Sequence, residues 1–236
     1  MAQACDFHLP HFGRERLGPG MSIARHRHGD GYITVVLAGS YQEAGFDGRR
    51  NLISGDVVVH RRYDAHLDHI GAGGAELINL PLPPGLSLPA AFRTDDADAL
   101  ARMAERNPLE AALQLRPGGE VAAQSDWPDR LALVLATAHD QQLGDWAEAI
   151  GLAPETLSRG FRAAYGITPA RFRVEARARR AMEMIDQDGP GLAAVAADCG
   201  YADQSHLNRA IVELTGQPPG AWRRSNSFKS STRFSA

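Results

Sequence analysis

The chain has 236 residues, enough for two domains with full cores. Hydrophobic residues make up 44% and charged residues 22%, an ordinary balance for a globular protein, and no apolar run approaches the length of about 18 residues that spans a bilayer, which argues against a helical membrane protein. A formal net charge of −3 argues against a generic polycationic nucleic-acid binder.

The opening string MAQACDFHLPHF lacks a charged region followed by an apolar stretch, so no secretory signal is expected. Cys5 and Cys199 lie far apart, so no disulfide is expected and a reducing cytoplasm fits. From Cys5 to about Leu82, short alternating runs are separated by glycines: YITVVLAGSYQEA, NLISGDVVVH, AELINLPL. This pattern predicts an antiparallel all-β sandwich or small barrel. His26 and His28 stand two apart, so on a strand they share a face.

The string GPGMSIARHRHGDGYITVVLAG, followed by SGDVVVHRRYDAHLDHI, resembles a small β-barrel (cupin) sensor domain. The resemblance implies a third imidazole at His66. It also implies a Glu four residues after the second histidine, and there this chain has Tyr32. Two readings therefore stand. His26, His28, Tyr32 and His66 line an organic effector pocket, or His26, His28 and His66 ligate a divalent metal with Asp30, Asp64 or His60 standing in for the absent carboxylate. No resident cofactor is expected, and His8, His11, His69 and His139 are given no role.

Residues 83–127 change texture. ADALARMAERNPLEAALQL predicts two short amphipathic helices broken at Pro108, and LRPGGEVAAQSDWP reads as an interdomain linker. The last third holds two helix-turn-helix patterns joined by an Arg-rich helix. In the first, Leu143, Trp146, Ala147 and Ile150 form one helix face and Gly151 ends it. Pro154 then opens a second helix whose buried stripe is Leu157, Phe161 and Ala164. That leaves Glu155, Ser158, Arg159 and Arg162 facing outward. In the second, Ala193, Ala194, Ala197 and Cys199 are small and apolar, Gly200 is the turn residue, and Leu207, Ala210, Ile211 and Leu214 are the buried stripe. Gln204, Ser205, Asn208 and Arg209 are exposed, with His206 beside them. Gln and Asn suit adenine and Arg suits guanine, so these are the candidate base readers.

Between them, Pro169 to about Asp186 reads as one helix capped by Thr168. At a rise of 1.5 Å per residue its length is roughly 27 Å, of the order of one duplex turn once helix widths are included. Its arginines at 171, 173, 177, 179 and 180 are candidates for phosphate, with Arg173 and Arg177 the chosen pair. Residues 125–236 carry 13 Lys or Arg against 13 Asp or Glu, so attraction to DNA must come from placed arginines rather than bulk charge.

Residues from about 128 to 224 resemble the DNA-binding domain of AraC/XylS-type transcription regulators. The carrying strings are LGDWAEAIGLAPETLSRGFRAAYGITPARFRVEARARRA and VAADCGYADQSHLNRAIVELTGQPPGAWR, with the closing Pro-x-x-x-Arg at Pro219 and Arg223. The chain departs from the family at Ile211, where Phe is usual, and at Ala202, where Ser is usual; the cap then falls to Asp203. The resemblance implies a double-stranded DNA operator, a small-molecule effector, activation through RNA polymerase, and a homodimer. Leu100, Met103, Leu109 and Leu113 are the apolar positions for dimer contact, against the alternative that they pack on their own barrel. No catalytic constellation emerges: there is no Gly-x-Ser-x-Gly, no phosphate-cradling loop and no Cys-x-x-Cys.

The chain thus reads as an α+β multidomain protein. An N-terminal all-β cupin-like barrel (1–90) precedes a helical dimerisation and linker segment (91–127). An all-α domain with two helix-turn-helix motifs (128–224) and a disordered tail (225–236) follow. The expected function is an effector-responsive, non-enzymatic transcription regulator in the cytoplasm, with no membrane partner. The competing reading is a cupin-type metalloenzyme or metal sensor fused to a DNA-binding domain.

Overall fold

The structure is a computed structural model that describes residues 7–8, 12–137, 141–186 and 190–221. The expected tail and Arg223 lie outside the described residues. The chain forms two compact units, residues 1–133 with 155–168 and residues 134–154 with 169–236. Among the described residues, no helix is long and apolar enough to cross a membrane.

The first unit is built on eight strands: β1 (Phe7–His8), β2 (Gly13–Leu17), β3 (Ser22–His28), β4 (Tyr32–Gly45), β5 (Gly48–Ile53), β6 (Asp56–His60), β7 (Ala65–Pro81) and β8 (Ala91–Arg93). They join one sheet in the order β1-β3-β7-β4-β6-β8, with β2 added to β7 and β5 added to β4. All pairings except β1–β3 are antiparallel. Strand β8, which falls in the segment expected to be helical, pairs with β6.

β4 and β7 are long and change partners along their length. The first half of β7 pairs with β3 and the end of β4, and its second half pairs with β2 and the start of β4. The register shifts between Val36 and Ala38 and again between Gly39 and Tyr41. At that point Gly39 has φ +72° and Gly74 has φ +75°. A Cβ on Gly39 would overlap the Gly74 carbonyl oxygen, so both backbones need glycine there.

Strand alternation divides the sheet into two faces. Ile33, Val35, Val57, Val59, Ile78 and Leu80 bury one face beneath two short helices. These are α1 (Ala97–Ala104) and α2 (Pro108–Gln114). Asp96 caps α1, accepting from the Ala99 N–H at 2.7 Å, and Asn107 caps α2 ahead of Pro108. The alternate residues, Tyr32, Thr34, His60, Leu77 and Asn79, face a cavity instead. The segment read as a linker is packed, not loose: Leu115 and Val121 are buried against the sheet.

Two further helices complete the first unit, the start of α3 (Trp127–Thr137) and nearly all of α5 (Pro154–Tyr165). Arg49 on β5 forms a forked pair with Asp129 on α3, at 2.9 and 3.0 Å, and also binds Asp126. Tyr165 of α5 donates its hydroxyl to the same Asp129 at 2.7 Å. Gly160 of α5 leaves room for the Trp127 ring, which a Cβ would overlap. Burial pushes the Asp129 carboxyl up, but the hydrogen bonds from Arg49 and Tyr165 outweigh it and hold the group below the ordinary carboxylate range.

The second unit contains α4 (Leu143–Ala149), α6 (Pro169–Asp186), α7 (Leu192–Asp198) and α8 (Gln204–Thr215). Its core is Phe172, Met182 and Ile185 of α6 with Val195, Ala196, Leu207, Ile211 and Leu214. The alanines of α6 at 176, 178 and 181 are buried, but in α7 it is Val195, Ala196 and Cys199 that turn inward; Ala193, Ala194 and Ala197, expected to let the helices approach closely, are exposed, and Ile211 is fully buried. Asp203 caps α8, accepting from the His206 N–H at 2.7 Å, as expected in the absence of Ser at 202.

Two outcomes follow. Gly39→Ala combines a left-handed backbone with a backbone overlap and should lower stability by about 2 kcal/mol or more, read from urea unfolding. For Asp129 the folded value lies below the unfolded one, so its contribution is present above about pH 4 and is lost as pH falls through the lowered folded value. Asp129→Asn should therefore be less stable than wild type at pH 7, and the gap should close below about pH 4. A gap that stays constant across that range would contradict the Asp129 pairing.

Candidate effector cavity and nucleic-acid interface

Three cross-strand pairs build the cavity. β3 sets His26 opposite His66 of β7. β4 sets Glu43 opposite Asp68 of β7, and Tyr32 opposite His60 of β6. The bend at Gly39 brings both ends of β4 to the same space, so Tyr32 and Glu43 line one cavity of about 300 Å³. His26, His28, Tyr32 and His66, the four residues expected there, do converge.

Their rings form a compact group. The His26 centroid lies 4.8 Å from His28 and 4.3 Å from His66, and His28 lies 5.6 Å from His66. Tyr32 stacks on His60 at 4.2 Å, and its hydroxyl is 3.0 Å from His66 Nε2. His66 Nδ1 is 3.1 Å from Asp68, and His26 Nδ1 is 3.0 Å from the Ala24 carbonyl oxygen. His60 Nε2 is 3.4 Å from the Thr34 hydroxyl and 3.7 Å from Glu43.

The electrostatics follow from burial. Glu43 and Asp68 are carboxyls opposed across two strands with little water, so each resists ionisation. Burial, with Asp68 beside it, holds Glu43 well above its ordinary range. Burial pushes Asp68 up to about 7 against the pull of His26, His28 and His69. Burial lowers His60 and His66, and the neighbouring imidazoles lower them further, so both rings are neutral near pH 7. Burial first, then Glu43 and Asp68, raise Tyr32.

Glu43 and Asp68 were not anticipated. Asp68 carries a signal, since His66 and Asp68 stand two apart just as His26 and His28 do. Glu43 carries none without the β4–β7 register. His60 was one of three suggested stand-ins for a carboxylate, and it does line the cavity. The other two are corrected. Asp30 is exposed, 3.8 Å from Arg62, and Asp64 accepts from the Arg61 N–H at 2.9 Å, so neither lines this cavity.

On the helices, Glu155, Arg159 and Arg162 of α5 are exposed and Ser158 is half-buried, all off the stripe of Leu157, Phe161 and Tyr165. Tyr165, fully buried, takes the place in that stripe expected of Ala164, which is only half-buried. Gln204, Ser205 and Arg209 of α8 are exposed, with His206 and Asn208 half-buried. Two of the α6 arginines named for phosphate also make contacts within the protein. Arg177 lies over the Tyr201 ring at 4.5 Å and donates to the Gly200 carbonyl oxygen at 3.2 Å. Arg173 donates to the Gln141 carbonyl oxygen. Both are half-buried and engage the protein itself, because their aliphatic stems start from the packed side of α6.

The four apolar positions assigned to a dimer separate. Leu100 is buried and Met103 packs beside it in the core beneath α1, so these two serve their own domain. Leu109 and Leu113, one turn apart on α2, are each 49% exposed.

Residues 146–225 match the family model of a helix-turn-helix domain. Over 87 residues the chain is 28% identical to an AraC-like transcription regulator of Streptomyces lividans, covering 37% of this chain and 29% of that protein. The matched part is thus under a third of that relative's length. Among solved structures, a DNA-binding transcriptional dual regulator from Escherichia coli K-12 is 22% identical, with a TM-score of 0.41, over 46% of this chain and 99% of that one. Unsaturated fatty acid-bound ToxT from Vibrio cholerae is 10% identical, with a TM-score of 0.42, over 89% of this chain and 93% of that one. Residues 146–225 thus carry a helix-turn-helix domain, and over 87 residues the chain is similar to an AraC-like transcription regulator.

Proposed function

We propose that the chain is a sequence-specific, double-stranded-DNA-binding transcription regulator of the cytoplasm, with an effector-binding barrel ahead of two helix-turn-helix motifs. The observation that carries the reading is the pair of outward polar faces on α5 and α8 within the span matched to the helix-turn-helix family. α5 and α8 are the readers, each entering a major groove. Glu155, Ser158, Arg159 and Arg162 form one reading face, and Gln204, Ser205, His206, Asn208 and Arg209 the other. Arg173 and Arg177 of α6 contribute phosphate contacts to DNA affinity. The effector occupies the cavity of His26, His28, Tyr32 and His66. The regulator acts through RNA polymerase and is not an enzyme.

The test begins with selection of a cognate site from random duplexes. Arg159→Ala and Arg209→Ala should each cost about 1–3 kcal/mol on that site and relax preference at one position, since a bidentate Arg–guanine pair is worth that much. Wild-type affinity and preference in both variants would overturn the assignment of readers.

The exposed Leu109 and Leu113 support a homodimer contact through α2. Leu109→Asp with Leu113→Asp should give a folded monomer, because a charge in an apolar interface is costly. Sedimentation of the wild type as a monomer at micromolar concentration, with and without DNA, would remove the dimer.

A further inference from the structure

We propose that the cavity of the sheet unit takes a small organic cation, a primary amine on a short apolar body, held by the opposed carboxyls of Glu43 and Asp68. This deepens the effector reading and rests on that cavity being the effector site.

Two buried acceptors point to the occupant. Glu43 and Asp68 are each more than nine-tenths buried. They are register partners on β4 and β7, and both line the cavity. Asp68 Oδ1 has His66 Nδ1 at 3.1 Å, and Glu43 Oε2 accepts from the Tyr41 hydroxyl at 3.4 Å. The other oxygen of each carboxyl, Asp68 Oδ2 and Glu43 Oε1, receives no hydrogen bond among the described residues. His60 and His66 stand 3.7 and 3.9 Å from Glu43, beyond hydrogen-bonding reach. Buried acceptors are normally satisfied, so these two call for donors from whatever fills the space. An ammonium group carries three donors and no acceptor, the complement of carboxyls that lack donors.

Charge narrows the class. Glu15 adds a third carboxyl to the lining, with Asn79 donating to it at 3.3 Å, and among the described residues no lysine or arginine lines the cavity. Arg50, opposite Glu43 on β5, donates instead to the Val121 and Asp47 carbonyl oxygens. Like charges set directly opposite across two strands destabilise a sheet. A cation between them turns repulsion into attraction, and an anionic effector adds to it. The cation also favours the ionised carboxyls against the burial that raises both. A neutral polyol supplies donors but leaves the opposed charges uncompensated.

The walls set the rest of the ligand. Tyr32 and Tyr41 add aromatic rings, which attract cations over their faces. Ile23, the register partner of Asp68 on β3, joins Leu17 and Leu77 in giving apolar surface for a hydrocarbon body. A volume of about 300 Å³ equals roughly ten waters at about 30 Å³ each, so the ligand has on the order of ten non-hydrogen atoms.

The test is titration calorimetry on the full chain with butylamine, phenethylamine, phenethyl alcohol, phenylacetate and glucose. The expected result is one amine bound per chain, with a melting temperature that rises with amine concentration. Phenethylamine should bind about tenfold or more tightly than phenethyl alcohol, the neutral molecule of the same shape, and phenylacetate should not bind. Glu43→Gln and Asp68→Asn should each weaken phenethylamine about tenfold or more and leave phenethyl alcohol within about twofold, because each change removes charge and keeps shape. Circular dichroism checks that both variants fold, and the order of wild-type affinities decides where one does not. Binding of neither amine overturns the proposal. Binding of the alcohol, the acid or glucose as tightly as phenethylamine also overturns it, while keeping the cavity as an effector site of another class. Amine binding undiminished in both carboxyl variants overturns the assignment of Glu43 and Asp68. These measurements need no DNA. Failure of the full chain, free or amine-loaded, to bind a selected duplex would overturn the regulator reading while the amine result stands by itself.

Discussion

The crossing of β4 and β7 at Gly39 and Gly74 is the constraint on which the first unit depends. Two strands of 14 and 17 residues pair along almost their whole length only because each bends where the other does. The bend requires positive φ in both chains and a backbone approach that leaves no room for Cβ. Because of it, residues eleven positions apart on one strand, Tyr32 and Glu43, share a cavity. The apolar alternates of the same strands are meanwhile held under α1 and α2.

That arrangement has an electrostatic cost. Opposing Glu43 to Asp68, with neutral imidazoles around them, keeps charge out of a buried space by raising the carboxyls and lowering the histidines. A cluster of this kind adds little to stability, since apolar residues of the same volume would pack without desolvation cost.

Outside the cavity, the contrast between two carboxylates shows how partners decide behaviour. Asp129 is also shielded, yet Arg49 grips it with a forked pair and Tyr165 adds a third bond, so it remains ionised. Asp68 has neutral imidazoles and the Glu43 carboxyl around it and no such fork, and burial raises it. The first carboxylate ties β5, α3 and α5 together; the second lines the cavity.

The sequence by itself determined the local elements of this protein. The breaks at Gly151, Gly166, Gly200 and Pro108, the 18-residue α6, the buried stripe of α8 and the capping role of Asp203 are all written in spacing and residue type, because helix periodicity and caps are short-range. The same-face pair His26 and His28 was legible for the same reason. Tertiary structure alone decided the rest. Glu43 joined the site through strand register, which depends on partners far along the chain. Leu100 and Met103 turned inward, and Arg173 and Arg177 turned to Gln141 and Tyr201, because an amphipathic pattern says that a face is buried but not against what. Within the unit that groups α5 with the sheet, Tyr165 of α5 bonds Asp129, a residue that spacing alone gave no reason to single out.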